Sequence, residues 1–361
     1  MEPSMKTIFR EINQLRNRFP WQNYKRWFLQ DLREFYLFYL DDSSRQQLSS
    51  MSWLLRSFYF LIWLLRSLFY KLNPLRRALF VLSLLLFWVP ESFFLNNISA
   101  DTLGVLVLLL ILMLELKDKL LAHDELATGR AVQNALLPEE KPLVPGWEVW
   151  IFSRSANEVG GDLIDVLNLG DGQHALAIGD VAGKGLGAAL FMARLQATLR
   201  AIAAKYRPLA DLGGELNAIF FRDGLPDRFV SLLYLTLKSG SGRIRFFNAG
   251  HMPPLYCRAA GIEEGPKGEP AVGLVADTRY REHGVDLDVG DLLFAYSDGL
   301  IEARNMDGEF FGEERLYRTL RSVCPDSAEA VGRACLAEVD AFSGDSRMTD
   351  DLSMLVLKRC G

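Results

Sequence analysis

The sequence predicts an α+β carboxyl-terminal domain preceded by an α-helical membrane hairpin and a linker helix. Three observations carry this reading. From about residue 146 onward, short β-type runs alternate with turn signals, and helices are inserted in pairs, the pattern of antiparallel sheets covered by helices. Upstream lie two nearly uncharged runs, 78–90 and 102–114. Charge is also divided: residues 1–77 carry a balance of +7, and the rest of the chain carries −12 within a net charge of −5. That acidic total argues against a nucleic-acid-wrapping protein. A basic amino-terminal part beside apolar runs suits a membrane surface, and an acidic remainder suits metals or basic partners.

The first 20 residues are polar and contain no cleavable leader. Residues 1–74 form a basic, aromatic-rich region. It contains a tandem repeat, Trp53-Leu-Leu-Arg56-Ser and Trp63-Leu-Leu-Arg66-Ser, with nine uncharged residues between the two arginines. A span needs ~20 apolar residues, so this segment is expected to lie in the headgroup layer as an interfacial helix. Residues 75–116 are expected to form a two-helix transmembrane hairpin. Each apolar core has 13 residues and requires snorkelling flanks or a thinned bilayer. Lys71, Arg76 and Arg77 precede the first run, Lys117 and Lys119 follow the second, and residues 90–101 contain neither Lys nor Arg. This places both ends of the hairpin in the cytoplasm, at the cytoplasmic (inner) membrane.

Residues 117–145 read as a linker helix to about Leu137, followed by a joint at Pro138, Pro142 and Pro145. Leu136 and Leu137 are the apolar residues best placed to dock on the domain that follows. In residues 146–361, strands are expected at 147–154, 162–169, 174–179, 229–238, 243–248, 291–297 and 352–357. Helices are expected at 186–206, 209–221, 312–322 and 327–342. Cys257, Cys324, Cys335 and Cys360 form no C-x-x-C pair and read as reduced thiols.

Four acidic turns adjoin apolar strands: Gly160-Gly161-Asp162 with Asp165, Gly179-Asp180-Val181, Ser297-Asp298-Gly299, and Thr349-Asp350-Asp351. One Asp-Gly at a strand end is ordinarily only a turn. Four such carboxylates in one domain would repel one another unless a cation joined them. Hard divalent ions such as Mg²⁺ or Mn²⁺ take oxygen ligands of this kind. A pair of these ions can activate water for attack on phosphorus. Other chemistries fail: His123, His174 and His283 stand alone, no Gly-x-Ser-x-Gly elbow occurs, and Gly179-Asp-Val-Ala-Gly-Lys184-Gly is one residue short of a phosphate loop.

Residues 120 to 358 resemble the SpoIIE/RsbU-type branch of the metal-dependent protein phosphatases (PPM), relatives of protein phosphatase 2C. The resemblance rests on Val132-Gln133 with Leu136-Leu137-Pro138, Glu158-Val-Gly-Gly-Asp162-Leu-Ile-Asp165 and Ile178-Gly-Asp180-Val-Ala-Gly-Lys-Gly185. It continues through Asn248-Ala-Gly-His-Met-Pro-Pro-Leu255, Gly290 to Ala303, Gly308-Glu-Phe-Phe-Gly312 and Thr349-Asp-Asp-Leu-Ser353. It implies an αββα sandwich with a two-ion Mg²⁺ or Mn²⁺ site between its sheets. It also implies hydrolysis of phosphoserine or phosphothreonine on a protein, typically a STAS-domain antagonist of an anti-sigma factor, and a homodimer. Carried over by position, Asp180 bridges both ions and activates the water, and the Val181 carbonyl is a further ligand. Asp298 and Asp350 hold one ion, Asp162 the other, and Asp165 is the weaker candidate. Asp351 aligns beside the ligand, and Asn248 to Pro254, His251 included, shape a loop. Eukaryotic relatives have a His two positions after the bridging Asp, where this chain has Ala182; the leaving seryl oxygen must take its proton elsewhere.

The reading that results is a membrane-anchored serine/threonine phosphoprotein phosphatase in bacterial signalling. The alternative is a catalytically silent PPM-fold binding or scaffold module. The intact Asp180, Asp298 and Asp350 count against it, and equally against a membrane sensor with an idle cytoplasmic domain.

Overall fold

The computed structural model describes residues 40–41, 46–48, 51–88, 99–223, 228–324, 326–346 and 348–361. Most of the basic region 1–50 and the stretch 89–98 between the two apolar runs lie outside the described residues. The chain divides into two compact units, Met1–Leu120 and Leu121–Gly361.

In the first unit, helix α1 spans Trp53–Lys71 and contains both copies of the tandem repeat. Helix α2 spans Pro74–Leu86; the Asn73 side chain accepts the Arg76 N–H, and Pro74 occupies the first turn, where its missing N–H costs nothing. Helix α3 runs unbroken over Ala100–Leu136, so the second apolar run and the linker helix are one element. Nothing between them can break a helix: there is no proline, and a lone Gly129 costs only ~1 kcal/mol. At the start of α2, the Arg76 guanidinium binds the Glu115 carboxylate at 2.6 Å and also that of Asp118, both on α3. Near the start of α3, Gly104 faces the Ser83 carbonyl and the Phe87 ring of the α2 end, so closely that an added Cβ would stand 3.0 Å from that carbonyl. The two helices therefore run antiparallel. Their outer faces expose Leu82, Leu85, Leu106, Leu109 and Met113.

The second unit is a four-layer sandwich. One sheet has the order β1-β10-β9-β6-β7, the other β2-β3-β4-β5-β8. The strands are β1 Trp147–Arg154, β2 Leu163–Gly170, β3 Gln173–Val181, β4 Val230–Lys238, β5 Arg243–Ala249, β6 Leu255–Arg258, β7 Gly261–Glu264, β8 His283–Asp286, β9 Leu292–Tyr296 and β10 Leu352–Arg359. All named pairings are antiparallel. The side-chain alternation of a strand sorts the core into three layers. Leu176 and Ile178 of β3, Leu233 and Leu235 of β4, and Leu355 and Leu357 of β10 meet between the sheets. Ala175, Ala177, Leu232 and Tyr234 turn outward under α4 (Leu186–Ile202) and α5 (Leu209–Arg222). On the far side, Trp150, Phe294, Met354 and Val356 pack under α6 (Gly312–Val323) and α7 (Ala328–Ser343). Helix α7 begins where the Ser327 hydroxyl accepts the Ala330 N–H.

The strands and helices of the second unit lie within a few residues of their expected positions. The short β6, β7 and β8 were not expected. One proximity was not anticipated by the sequence reading: Cys257 and Cys324 stand side by side, with Cα atoms 6.1 Å apart. They are 67 residues apart in sequence and meet only because α6 ends over β6, a pairing no local motif announces. Cys335 is buried and free, and Cys360 is exposed. Among the described residues, one helical stretch is long and apolar enough to cross a membrane, Leu186–Lys205. It contains α4, whose Phe191, Met192, Leu195 and Leu199 are buried in the sandwich core.

Candidate metal centre

The carboxylates converge because their strands end at one edge of the sandwich. Asp162 immediately precedes β2 and Asp180 is the next-to-last residue of β3, both in one sheet. Asp298 follows β9, and Asp350 and Asp351 precede β10, in the other sheet. Alternation along β3 sends Asp180 toward the inter-sheet side, as it does Leu176 and Ile178. Gly161 lets the loops close: an added Cβ there would stand 3.2 Å from the Val181 carbonyl oxygen and 3.4 Å from Asp180 Oδ1. Gly299 is tighter still, since a side chain would collide with the Asp351 carbonyl.

Mutual repulsion shows that these carboxylates stand close enough to form one cluster. Burial, and then the charges of Asp298, Asp350 and Asp351, raise the Asp180 carboxyl to about 7. Asp162 is 4% exposed and lies well above the usual carboxylate range. Desolvation is the main cause, followed by the Asp180 charge, with the nearby Ser353 and Ser297 hydroxyls opposing it. Asp298 is raised by burial, Asp350 and Glu302.

Around the cluster the chain supplies braces. Asp351 accepts the Ala156 N–H at 2.7 Å on Oδ1 and the Gly161 N–H at 2.6 Å on Oδ2, fixing the loop that presents Asp162. From α3, the buried Gln133 donates to the Gly160 carbonyl at 2.7 Å and accepts the Gly160 N–H at 3.0 Å. Leu136 and Leu137 are only half-buried, so the polar Gln133 is the deeper contact of that helix. Gln133 was visible in the matched motif, but a glutamine at that spacing carries no signal of what it holds.

Asp165 sits apart from the cluster. It pairs with Ala177 across β2 and β3, on the face covered by α4, and it is fully buried. Both its oxygens are taken by Arg200 of α4, at 2.7 and 2.8 Å. Asp165 lies three positions after Asp162, and an odd step along a strand reverses the face. The Asn248 loop is self-contained: Asn248 accepts the His251 N–H at 2.8 Å and donates to the His251 carbonyl at 3.0 Å. Burial lowers His251 to about 4, and its Nδ1 lies 3.0 Å from the Ser231 hydroxyl.

The donor set fits hard divalent cations. It consists of carboxylates and a backbone carbonyl, and one buried oxygen, Asp162 Oδ2, has no hydrogen-bond partner. As the side chains stand, no three His, Cys, Asp or Glu among the described residues close on a single point. The Lys184 ammonium instead binds Asp350 Oδ2 at 2.8 Å and the Thr349 carbonyl. In the sequence Lys184 belongs to the Ile178–Gly185 motif, but nothing there signals that its ammonium reaches Asp350.

The profile of the family described as Stage II sporulation protein E (SpoIIE) matches residues 170–360. Protein IcfG of Synechocystis sp. is 29% identical over 266 residues, covering 65% of this chain and 41% of that protein. Phosphoserine phosphatase RsbU of Bacillus subtilis is 23% identical over 239 residues, covering 65% of this chain and 70% of that one. Among solved structures, the SiaA-PP2C domain of Pseudomonas aeruginosa superposes with a TM-score of 0.58 at 19% identity, over 67% of this chain and 98% of that domain. The match thus spans less than half of IcfG and most of RsbU.

Proposed function

The chain belongs to the stage II sporulation protein E (SpoIIE) family, and from that premise we propose that it is a membrane-anchored, metal-dependent serine/threonine phosphoprotein phosphatase. The observation that carries this reading is the convergence of Asp162, Asp180, Asp298 and Asp350 from both sheets, with a buried Asp162 oxygen lacking any partner. RsbU, named a phosphoserine phosphatase, supports the phosphoserine part. The substrate class is a phosphorylated STAS-domain protein, and a homodimer is the expected assembly.

Asp180, placed against both the Asp162 loop and the Asp298 and Asp350 loops, is the carboxylate suited to bridge two ions. Asp298 and Asp350 would complete one position, and Asp162 with the Val181 carbonyl the other. Mg²⁺ or Mn²⁺ held there would supply an activated water and neutralise the phosphoryl oxygens. The protein's own contribution is to hold the acidic loops rigid through Asp351 and Gln133. Ala182 can neither give nor take a proton, and His251 stays neutral and tied to Ser231. Neither is therefore the proton donor to the leaving seryl oxygen.

Membrane anchoring is supported by the antiparallel α2–α3 pair, its exposed leucines and the basic flanks. The observation that favours a silent binding module is the Lys184–Asp350 ion pair, which occupies one candidate ligand. The test is a phosphate-release assay on the full-length chain in detergent, with a phosphoserine STAS-domain protein and either Mn²⁺, Mg²⁺ or EDTA. Release with a metal and none with EDTA is expected. No release under any condition establishes the silent module.

A further inference from the structure

The loop after β3 carries a cation directly into the acidic cluster. Lys184 lies between Gly183 and Gly185, whose φ values of +105° and +73° belong to the left-handed region. The start of this loop is pinned. Arg228 donates to the Ala182 carbonyl at 2.7 Å, and the Ala182 N–H donates to the Phe229 carbonyl. Beyond Ala182, Gly183 packs on the Arg228 guanidinium and Gly185 caps α4, so the part of this arm that can turn is the long Lys184 side chain itself.

At its far end, the Lys184 ammonium donates to Asp350 Oδ2 at 2.8 Å and to the Thr349 carbonyl, while Asp350 Oδ1 accepts the Asp351 N–H at 3.0 Å. Both oxygens of Asp350 are thereby engaged. Lys184 keeps half of its side chain exposed and Asp350 a third, so the pair faces solvent on one side and the buried Asp180 and Asp298 on the other.

We infer that Lys184 is a tethered cation that holds Asp350 while no divalent ion is bound and must be displaced before one can bind. This rests on the metal-centre reading above. A divalent cation would have to share the Asp350 carboxylate with the ammonium, and two cations at one carboxylate repel. The apparent metal affinity is then the intrinsic affinity reduced by the fraction of molecules in which Lys184 has already swung away. Lys184 thus sets how much metal is needed to assemble the site, and it prevents the acidic cluster from standing uncompensated in the metal-free protein. Once released, the ammonium remains tethered beside the cluster by a single short loop.

The experiment is calorimetric titration of Mn²⁺ into the metal-stripped full-length chain in detergent, comparing wild type with Lys184→Gln, Lys184→Ala and Lys184→Arg. Binding roughly tenfold tighter is expected for the Gln and Ala variants at one site. Lys184→Arg, which keeps the charge, should return toward wild type. Melting of the stripped proteins gives a second readout: Gln and Ala should melt lower than wild type without metal and equal to it in saturating Mn²⁺. Unchanged or weaker Mn²⁺ binding in both neutral variants overturns the inference and leaves the metal centre standing. No Mn²⁺ binding by any of the four proteins overturns the metal-centre reading itself, and the inference falls with it.

Discussion

At Asp180 a single carboxylate carries opposite demands. Without metal it is buried among Asp298, Asp350 and Asp351, and its carboxyl rises to about 7. In the unfolded chain it titrates near ~3.9. Between roughly pH 4 and pH 7 the folded, metal-free protein therefore holds a proton that the unfolded chain has lost, and stability falls as pH rises through that window. Asp180→Asn removes the titrating group but keeps its shape. We expect the stripped variant to lose less melting temperature than wild type between pH 5 and pH 7.5, with Asp162 supplying the remaining slope. A steeper loss in the variant would show that Asp180 is charged and stabilised in the metal-free fold. With Mn²⁺, turnover should fall by more than ~100-fold, since outer-shell changes alone cost ~10–100-fold. Near-wild-type rates would remove Asp180 from the chemistry. Asp162, Asp180, Asp298 and Asp350 were legible in the sequence because each acidic turn follows or precedes an apolar strand. Asp165 was not separable from them: its partner Arg200 lies 35 residues away on α4, and only the sheet's two faces divide it from Asp162.

Among the elements, the core strands and their covering helices could be read from periodicity because each is long enough to alternate. Four-residue strands such as β6, β7 and β8 are too short to carry a period. The reach of α3 was also hidden, because an apolar run and a charged run look like two elements although no residue between them ends a helix. That helix meets the loop before Asp162 through Gln133, whose two hydrogen bonds satisfy both backbone groups of Gly160. Gln133→Ala leaves that buried N–H and carbonyl unpaired, at ~1–3 kcal/mol each. We expect the variant to lower the melting temperature and to weaken Mn²⁺ binding several-fold, because the Gly160 segment presents Asp162. Substitution of the half-buried Leu136 and Leu137 by Ala should have the smaller effect on metal affinity. The reverse order would make the leucine pair, and not the glutamine, the contact that transmits α3 to the site.

For the whole molecule, the proposed anchoring makes a prediction about the side of the membrane on which the second unit lies. Helix α2 is 13 residues long, a rise of ~20 Å against a hydrocarbon core of ~30 Å. In the proposed hairpin, a crossing by this helix would require a locally thinned bilayer or snorkelling flanks. The Arg76 charge at its start is matched by Glu115 and Asp118, so the ends of the antiparallel pair that meet there form a polar cap suited to one aqueous face. Lys71, Arg77, Lys117 and Lys119 cluster near that same end in sequence, and the opposite connection, 90–101, has no Lys or Arg. For the proposed hairpin, the positive-inside rule predicts the cap in the cytoplasm and the connection outside. A cysteine placed at Asn96 should be labelled by an impermeant thiol reagent in intact cells, and one at Ser4 only after permeabilisation; both positions lie outside the described residues. The reaction is read in a background where Cys360, the exposed native thiol, is replaced by Ser. Labelling at Ser4 and protection at Asn96 in intact cells would invert the hairpin. It would also place the acidic site outside the cytosol and overturn the proposed substrate class.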